Sequence, residues 1–267
     1  MAPRPDLSGL SLSEHGEVGP GLLVISPERH QGRGALVLIH GGGLVMGSNR
    51  EAAAIGARFA RALGIAVICP GYRLAPEAPF PAAQEDLLAA WNWTRENAQA
   101  LGFDPSRVVI GGTSAGGGLA AALTQRLLAQ GGPLPAAQLL VYPMLDDRTA
   151  ARRDLDRPRH RVWSNRSNRF GWTSYLGHAP GAADPRPFAV PARCADPAGL
   201  PPAWIGVGTC DLFLDENRDY AQRLKEAGVD VTYVEAAGAI HGFDKSGTAL
   251  GEAFLACQMD FVRSHAA

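Results

Sequence analysis

The stretch R-V-V-I-G-G-T-S-A-G-G-G-L-A, residues 107–120, predicts a β-strand, a tight turn and a helix in that order. Apolar β-branched residues open it, two glycines break the run, and helix-forming residues without proline continue to residue 130. The turn, residues 112–116, fits G-x-S-x-G, in which a sharp turn holds a serine hydroxyl out above a sheet edge. We expect Gly112 and Gly116 to tolerate no Cβ, because strand and helix approach closely there. Ser114 also lies at a helix N-terminus, which favours negative charge beside its hydroxyl.

Apolar runs alternate with helical segments on both sides of this motif, which predicts a doubly wound, mainly parallel sheet. The run A-L-V-L-I is typical of a parallel strand that is covered on both faces. A chain of 267 residues is long enough for one large core, so we predict a single domain spanning residues 1–267. Strands are predicted at residues 22–25 (as an edge strand), 35–39, 65–69, 108–110, 137–142, 203–207 and 229–234.

His40 and the three glycines at residues 41–43 follow a strand that is predicted to be buried. Consecutive glycines leave backbone N–H groups free to point at a ligand with no side chain in the way. In a hydrolase that ligand is the oxyanion of a tetrahedral intermediate, and we expect Gly42, Gly43 and Ala115 to donate to it. A flexible loop is the alternative. His40 is expected to shape the loop by hydrogen bonding, since the general base should follow the nucleophile in such a sheet.

By itself, the serine motif is also typical of a turn whose serine only caps a helix. Whether Ser114 is a nucleophile therefore depends on whether the sequence also supplies an acid and a histidine. Asp211 and His241 follow later predicted strands, which gives the chain order nucleophile, acid, histidine. We expect His241 to take the proton of Ser114, while Asp211 holds the imidazole tautomer. The rival acids Asp215 and Glu216 lie inside the next predicted helix, where they are typical N-terminal charges.

The strand and helix alternation stops between residues 146 and 198. An insertion at the C-terminal edge of a parallel sheet lies where ligands bind, so we predict a cap over the site, with its aromatic side chains packed down. Residues 1–20 are polar and interrupted by proline and glycine, and we expect an arm lying on the body of the protein, which the family resemblance described below assigns to the cap. Arg73 and Glu77 are one candidate ion pair for supporting the glycine loop.

Composition is ordinary for a globular enzyme, with 46% hydrophobic and 19% charged residues. The net charge of −1 gives no overall field for nucleic acid or an anionic membrane, so neither partner is expected. Four scattered cysteines form no metal motif or disulfide framework, and we predict no metal and no cofactor. The first twenty residues lack the apolar core of a signal peptide, which favours a cytoplasmic location.

Together these motifs resemble the bacterial hormone-sensitive-lipase-like esterases, family IV of the α/β-hydrolases. The resemblance covers residues 34–261 and rests on H-G-G-G-L-V-M-G, Y-R-L-A-P-E, G-T-S-A-G-G, Y-P-M-L-D-D, D-L-F-L-D-E and H-G-F. It implies a mostly parallel eight-stranded sheet with a small helical cap, and a serine carboxylesterase of small-molecule esters with short acyl chains. It implies the triad Ser114, Asp211 and His241, and often a homodimer. Thr113 stands where aspartate is commonest, as in the G-T-S-A-G branch, and the N-terminal arm is short for the family.

Two other functions fit the same scaffold. The triad could hydrolyse amides, carbamates or lactones, because the choice of leaving group depends on the shape of the pocket. A non-catalytic receptor for a small molecule is the second alternative, although such a receptor does not need His241. A lipase for long-chain fat is disfavoured, because no long amphipathic lid helix is evident.

Overall fold

The computed structural model describes residues 5–31, 33–156, 160–183 and 186–266, and its centre is the predicted eight-stranded sheet. The spatial order of the strands is β1-β2-β4-β3-β5-β6-β7-β8, in which all pairs from β4 to β8 are parallel and the two pairs made by β2 are antiparallel. The strands are β1 (Leu10–His15), β2 (Leu22–Pro27), β3 (Ala35–Ile39), β4 (Ala66–Pro70), β5 (Val108–Thr113), β6 (Ala137–Val141), β7 (Ala203–Gly208) and β8 (Val231–Ala236).

Helices cover both faces of the sheet, as the doubly wound pattern predicts. They are α1 (Asn49–Leu63), α2 (Ala82–Glu96), α3 (Ala115–Ala129), α4 (Asp147–Ala151), α5 (Asn165–Leu176), α6 (Leu214–Glu226) and α7 (Ala249–Ala266). Strand β3 shows the arrangement: Val37 packs into the core beneath α2, α3 and α6, while its neighbours Leu36 and Leu38 pack into the core beneath α1 and α7. All five of its residues are buried, which explains why its sequence is continuously apolar.

The described part of the N-terminal segment, residues 5–20, differs from the prediction that residues 1–20 form an arm belonging to the cap; residues 1–4 lie outside the described residues. Residues Leu10–His15 form β1, which pairs with β2 in antiparallel register and is the outermost strand on that side. The L-S-L-S alternation at residues 10–13 is typical of a strand with one buried face, and Leu10 is buried accordingly. The strand at residues 22–27 is therefore the second strand of the sheet, and the prediction of an edge strand there is wrong.

The parallel strands bring the important loops to one edge of the sheet. Because β3, β5, β7 and β8 run in the same direction, the segments after them all emerge at their common C-terminal ends. Between β6 and β7 the described residues contain no strand, and they include α4, α5 and a short 3-10 helix at Pro191–Arg193. This long insertion also lies at the C-terminal edge.

Candidate active site

Ser114 occupies a strained turn between β5 and α3, as the G-x-S-x-G motif predicts. Its backbone has φ 58° and ψ −121°, a conformation that non-glycine residues adopt rarely and at a cost of about 1–3 kcal/mol. A Cβ on Gly112 would lie 2.4 Å from the carbonyl carbon of Gly116, and one on Gly116 would lie 2.3 Å from the carbonyl oxygen of Ile39. Both glycines are therefore required by the close approach of strand and helix.

Ser114, His241 and Asp211 form one hydrogen-bonded chain. Nε2 of His241 lies 3.0 Å from Oγ of Ser114, and Nδ1 of the same ring lies 2.8 Å from Oδ2 of Asp211. The other carboxylate oxygen of Asp211 accepts a hydrogen bond of 3.0 Å from the backbone N–H of Phe213. All three side chains are buried, with residue exposures of 7%, 7% and 4%. The structure thus brings together the three residues that the chain order singles out.

The glycine loop after β3 packs directly against this turn. A Cβ on Gly41 would lie 2.8 Å from the carbonyl oxygen of Thr113, and Gly42 and Gly43 have φ angles of 119° and 60°. Within the described part of the chain, the backbone N–H groups of Gly42 and Gly43 donate no hydrogen bond. Ala115 is the first residue of α3, so its N–H has no acceptor within the helix. These three amides are the unoccupied donors on the residues that the sequence singles out for an oxyanion.

His40 supports the loop in the way its position predicts. Nδ1 lies 2.8 Å from the carbonyl oxygen of Gly41, and the ring stacks on Tyr72 with centroids 4.1 Å apart. The Tyr72 hydroxyl donates to the carbonyl oxygen of His40 at 3.1 Å. Burial lowers the pKa of His40 to about 4, so its imidazole is neutral near pH 7. A neutral ring held in this manner fixes the shape of the loop.

The ion pair predicted between Arg73 and Glu77 is wrong about the acidic partner. Arg73 makes a bidentate pair with Asp86 on α2, with Nε–Oδ2 and Nη2–Oδ1 distances of 2.9 Å. Asp86 is preferred because it also accepts the backbone N–H of Arg73 at 2.8 Å. Support for the glycine loop comes instead from the backbone, where the N–H of Ala75 donates to the carbonyl oxygen of Leu44 at 3.0 Å.

Glu216 has a role that its sequence position does not indicate. Asp215 is exposed, as expected for a charge in the first turn of α6, but Glu216 is only 4% exposed. Its Oε1 accepts hydrogen bonds from the backbone N–H groups of Leu145 (2.7 Å) and Asp146 (3.3 Å). Burial raises the pKa of this carboxyl well above its usual range. Glu216 therefore ties the start of the insertion to the helix that follows Asp211.

The insertion lies over the glycine loop. A Cβ on Gly43 would lie 2.0 Å from the indole ring of Trp163, and one on Gly171 of α5 would lie 2.4 Å from the carbonyl oxygen of Gly43. Trp172 and Tyr175 on the same helix are both 2% exposed and belong to the main core. They also border a cavity of about 10 Å³ that reaches Ala115. One side of the site is thus closed by aromatic rings.

Metal sites and membrane spans were both looked for among the described residues. In residues 5–31, 33–156, 160–183 and 186–266, no group of three histidine, cysteine, aspartate or glutamate side chains is arranged to hold a metal ion. None of the helices in these same ranges combines the length and apolarity needed to cross a membrane.

Comparison with known proteins gives consistent matches over most of the chain. The sequence profile of a family described as alpha/beta hydrolase fold matches residues 36–245. The ethyl acetate hydrolase of Pseudomonas putida is 34% identical over 82% of this chain and 69% of that protein. Esterase LipI of Mycobacterium tuberculosis is 35% identical over 90% of this chain and 76% of its own length. The solved structure of a bacterial heroin esterase aligns with a TM-score of 0.91 and 34% identity, covering 98% of this chain and 86% of that one.

Proposed function

The chain belongs to the α/β-hydrolase fold family, in its hormone-sensitive-lipase-like esterase branch, and we propose that it cleaves esters with Ser114, His241 and Asp211. It is a carboxylic ester hydrolase. The observation that carries the proposed mechanism is the continuous hydrogen-bonded chain, with distances of 3.0 Å from Ser114 to His241 and 2.8 Å from His241 to Asp211. A serine that only caps the helix would not need these hydrogen bonds to a histidine and an aspartate.

In the first half of the reaction, Nε2 of His241 takes the hydroxyl proton as Oγ of Ser114 attacks the ester carbonyl carbon. The carbonyl oxygen becomes an oxyanion, and the amides of Gly42, Gly43 and Ala115 donate to it. The carboxylate of Asp211 stabilises the imidazolium without taking its proton. The imidazolium then protonates the leaving alkoxide, the C–O bond breaks, and an acyl group remains on Ser114.

The second half repeats these roles with water as the nucleophile. His241 takes a proton from water, the resulting hydroxide attacks the acyl carbon, and Ser114 leaves with the proton returned by the imidazolium. The same amides stabilise the second oxyanion. The acid is released and the serine hydroxyl is restored, so atoms and charges balance over the cycle.

A short acyl chain is the form of substrate that we propose. The cavity of about 10 Å³ that reaches Ala115 has room for about one water-sized group, and it is bordered by Leu44, Met144, Trp172 and Tyr175. An acetyl methyl group fits this space, whereas a longer chain requires the rings to move. The name of one relative, ethyl acetate hydrolase, supports the same size range.

The test is hydrolysis of p-nitrophenyl esters from acetyl to palmitoyl, with wild type and Ser114→Ala purified in parallel. We expect activity that is highest for the shortest chains and is lost in the variant, whose fold should be unchanged because only one buried oxygen is removed. Substantial turnover by pure Ser114→Ala would overturn the assignment of the nucleophile. Activity highest on palmitoyl esters would instead overturn the proposed acyl size.

A further inference from the structure

A second carboxyl group approaches His241 that the mechanism above does not use. Asp244 lies three residues after His241, in the short 3-10 helix Phe243–Ser246. Its Oδ1 accepts a hydrogen bond of 2.8 Å from the hydroxyl of Tyr142. The ring of Tyr142 packs edge-to-face against the imidazole of His241, with centroids 4.7 Å apart and an interplanar angle of 64°. One phenol therefore connects Asp244 to the imidazole.

The backbone of Tyr142 is strained in a way that serves this contact. Its φ of 36° lies in the left-handed region, which is unusual for a residue with a large side chain. Tyr142 directly follows β6, whose last residue, Val141, accepts the backbone N–H of Ser114 at 2.9 Å. Its own N–H donates to the carbonyl oxygen of Gly206 at 2.6 Å. Such strain persists only where the surroundings impose it, and here it accompanies a buried ring on the imidazole.

Several groups act on the carboxyl group of Asp244. Burial has the largest effect and raises its pKa above the usual range, while the hydrogen bond from Tyr142 and the charges of Lys245 and His241 partly offset that rise. The negative charge of Asp244 in turn acts on Tyr142, as does that of Asp211. The titratable groups that act on Asp244 are Tyr142, which follows β6, His241, in the loop before the 3-10 helix, and Lys245, in that helix. Helix α7 also packs on the 3-10 helix, where Gly251 lies against the backbone of Asp244.

We propose that Tyr142 and Asp244 are positioning residues for His241. The ring of Tyr142, together with Phe213 at a centroid distance of 5.3 Å, holds the plane of the imidazole. The carboxylate of Asp244 holds Tyr142 and adds negative charge beside the imidazolium that forms when Ser114 loses its proton. This proposal rests on the proposed function, because it assigns a task only if His241 gains and loses protons.

Two conservative variants separate the two parts of the proposal. Tyr142→Phe keeps the ring and removes the hydrogen bond, whereas Asp244→Asn keeps an acceptor for the hydroxyl and removes the charge. The chain also offers a matched control, since Tyr233 on β8 donates to Glu235 at 2.9 Å. Tyr233→Phe and Glu235→Gln remove the same groups from that pair, in which Tyr233 is half-buried and Glu235 also pairs with Arg218.

The first measurement is kcat and KM for p-nitrophenyl acetate across pH. For Asp244→Asn we expect the acid limb of kcat/KM to move to lower pH by about 0.5 to 1 unit, because the imidazolium loses a nearby negative charge. For Tyr142→Phe we expect kcat to fall roughly tenfold with KM within about twofold and no shift of the limb. The control variants should match wild type in all three quantities. If the hydrogen bond between Tyr142 and Asp244 only attached the 3-10 helix to the end of β6, both variants would lower thermal stability and leave the pH profile unchanged.

The second measurement does not depend on ester turnover. The ring titration of His241 is followed by NMR in protein labelled at its histidine nitrogens, and the His241→Gln variant identifies the signal. We expect its midpoint to move to lower pH in Asp244→Asn and to stay unchanged in Glu235→Gln. If wild type hydrolysed no ester but this shift occurred, the proposed function would fail and the pairing would stand. If both Tyr142→Phe and Asp244→Asn matched wild type in pH profile, kcat and ring titration, the proposal would be wrong. If Asp244→Asn did not fold, the kcat and KM of Tyr142→Phe would decide.

Discussion

Asp211→Asn is the perturbation for which the structure predicts the most specific failure. In the native site, Oδ1 of Asp211 accepts the Phe213 N–H at 3.0 Å and Oδ2 faces Nδ1 of His241 at 2.8 Å. Asparagine has only one oxygen for these two positions. If the oxygen stays on the Phe213 N–H, the amide NH₂ faces Nδ1, which must then accept. The proton moves to Nε2, and the imidazole donates to Ser114 where it should accept from it.

The opposite orientation of the amide carries its own cost. It places the NH₂ group against the N–H of Phe213 in a site where the residue at position 211 is 4% exposed. Two donors facing each other there leave at least one buried group unsatisfied, at about 1–3 kcal/mol. The wrong tautomer is therefore the favoured state of the variant. We expect kcat to fall by a factor on the order of 10⁴, which is about 5 kcal/mol of transition-state stabilisation.

The assay is kcat for p-nitrophenyl acetate at pH 7.5, with Asp215→Asn and Glu216→Gln measured alongside and the fold of each variant checked by circular dichroism. Asp215→Asn should retain wild-type activity, because its side chain is exposed and lies in the first turn of α6. Glu216→Gln keeps an oxygen for Leu145 and should lose far less than Asp211→Asn. A folded Asp211→Asn enzyme with more than about a tenth of wild-type kcat would refute the tautomer argument. So would an equal loss in either of the other two variants.

Three further outcomes are expected. Gly43→Ala should lower kcat about 100-fold or more, because its Cβ would lie 2.0 Å from the Trp163 ring beside the proposed oxyanion site. Gly131→Ala is the control for backbone strain, since Gly131 has a similar φ of 62° and open space around it, and this variant should leave kcat unchanged. Burial raises the pKa of Glu216 in the folded protein above its pKa in the unfolded chain, so its contribution to stability is complete below the unfolded pKa and is lost as pH rises through the folded pKa. In denaturation experiments from pH 4 to 9, the free energy of unfolding of wild type should therefore fall relative to that of Glu216→Gln, and parallel curves would contradict this. Trp172→Leu should enlarge the cavity at Ala115 and so move the preferred p-nitrophenyl ester from acetyl toward butyryl or hexanoyl. An unchanged preference for acyl length would mean that this cavity does not hold the acyl group.

Those parts of the site that follow from local rules are predictable from sequence. The G-x-S-x-G turn requires glycines on steric grounds, and the structure has contacts of 2.4 Å and 2.3 Å where a Cβ would be. The positions of Asp211 and His241 follow from the geometry of a parallel sheet, in which every strand ends at the same edge. Both inferences can be made without information on tertiary contacts between side chains.

Pairings between distant segments are not predictable in this way. Glu216 reads as an ordinary helix N-terminal charge, yet its carboxyl contacts backbone N–H groups about seventy residues earlier in the chain. Arg73 selects Asp86 over Glu77 because only Asp86 also reaches the backbone of Arg73. Many carboxylates are near enough in sequence to satisfy such residues, and the choice depends on packing. The strand Leu10–His15 was missed for a different reason, since its alternation is short and mostly polar.

The strained residues suggest why the site needs a rigid support. Ser114, Tyr142 and Leu44 have positive φ angles of 58°, 36° and 71°, and each follows closely on a buried strand that ends at this edge of the sheet. Strain of this kind costs about 1–3 kcal/mol per residue and relaxes unless packing opposes it. Strands β3, β5 and β6 are buried at every position, which supplies that opposition. The conformations that bring the Ser114 hydroxyl and the Tyr142 ring to one imidazole, and that shape the loop at Leu44, are therefore maintained by strands that are buried along their whole length.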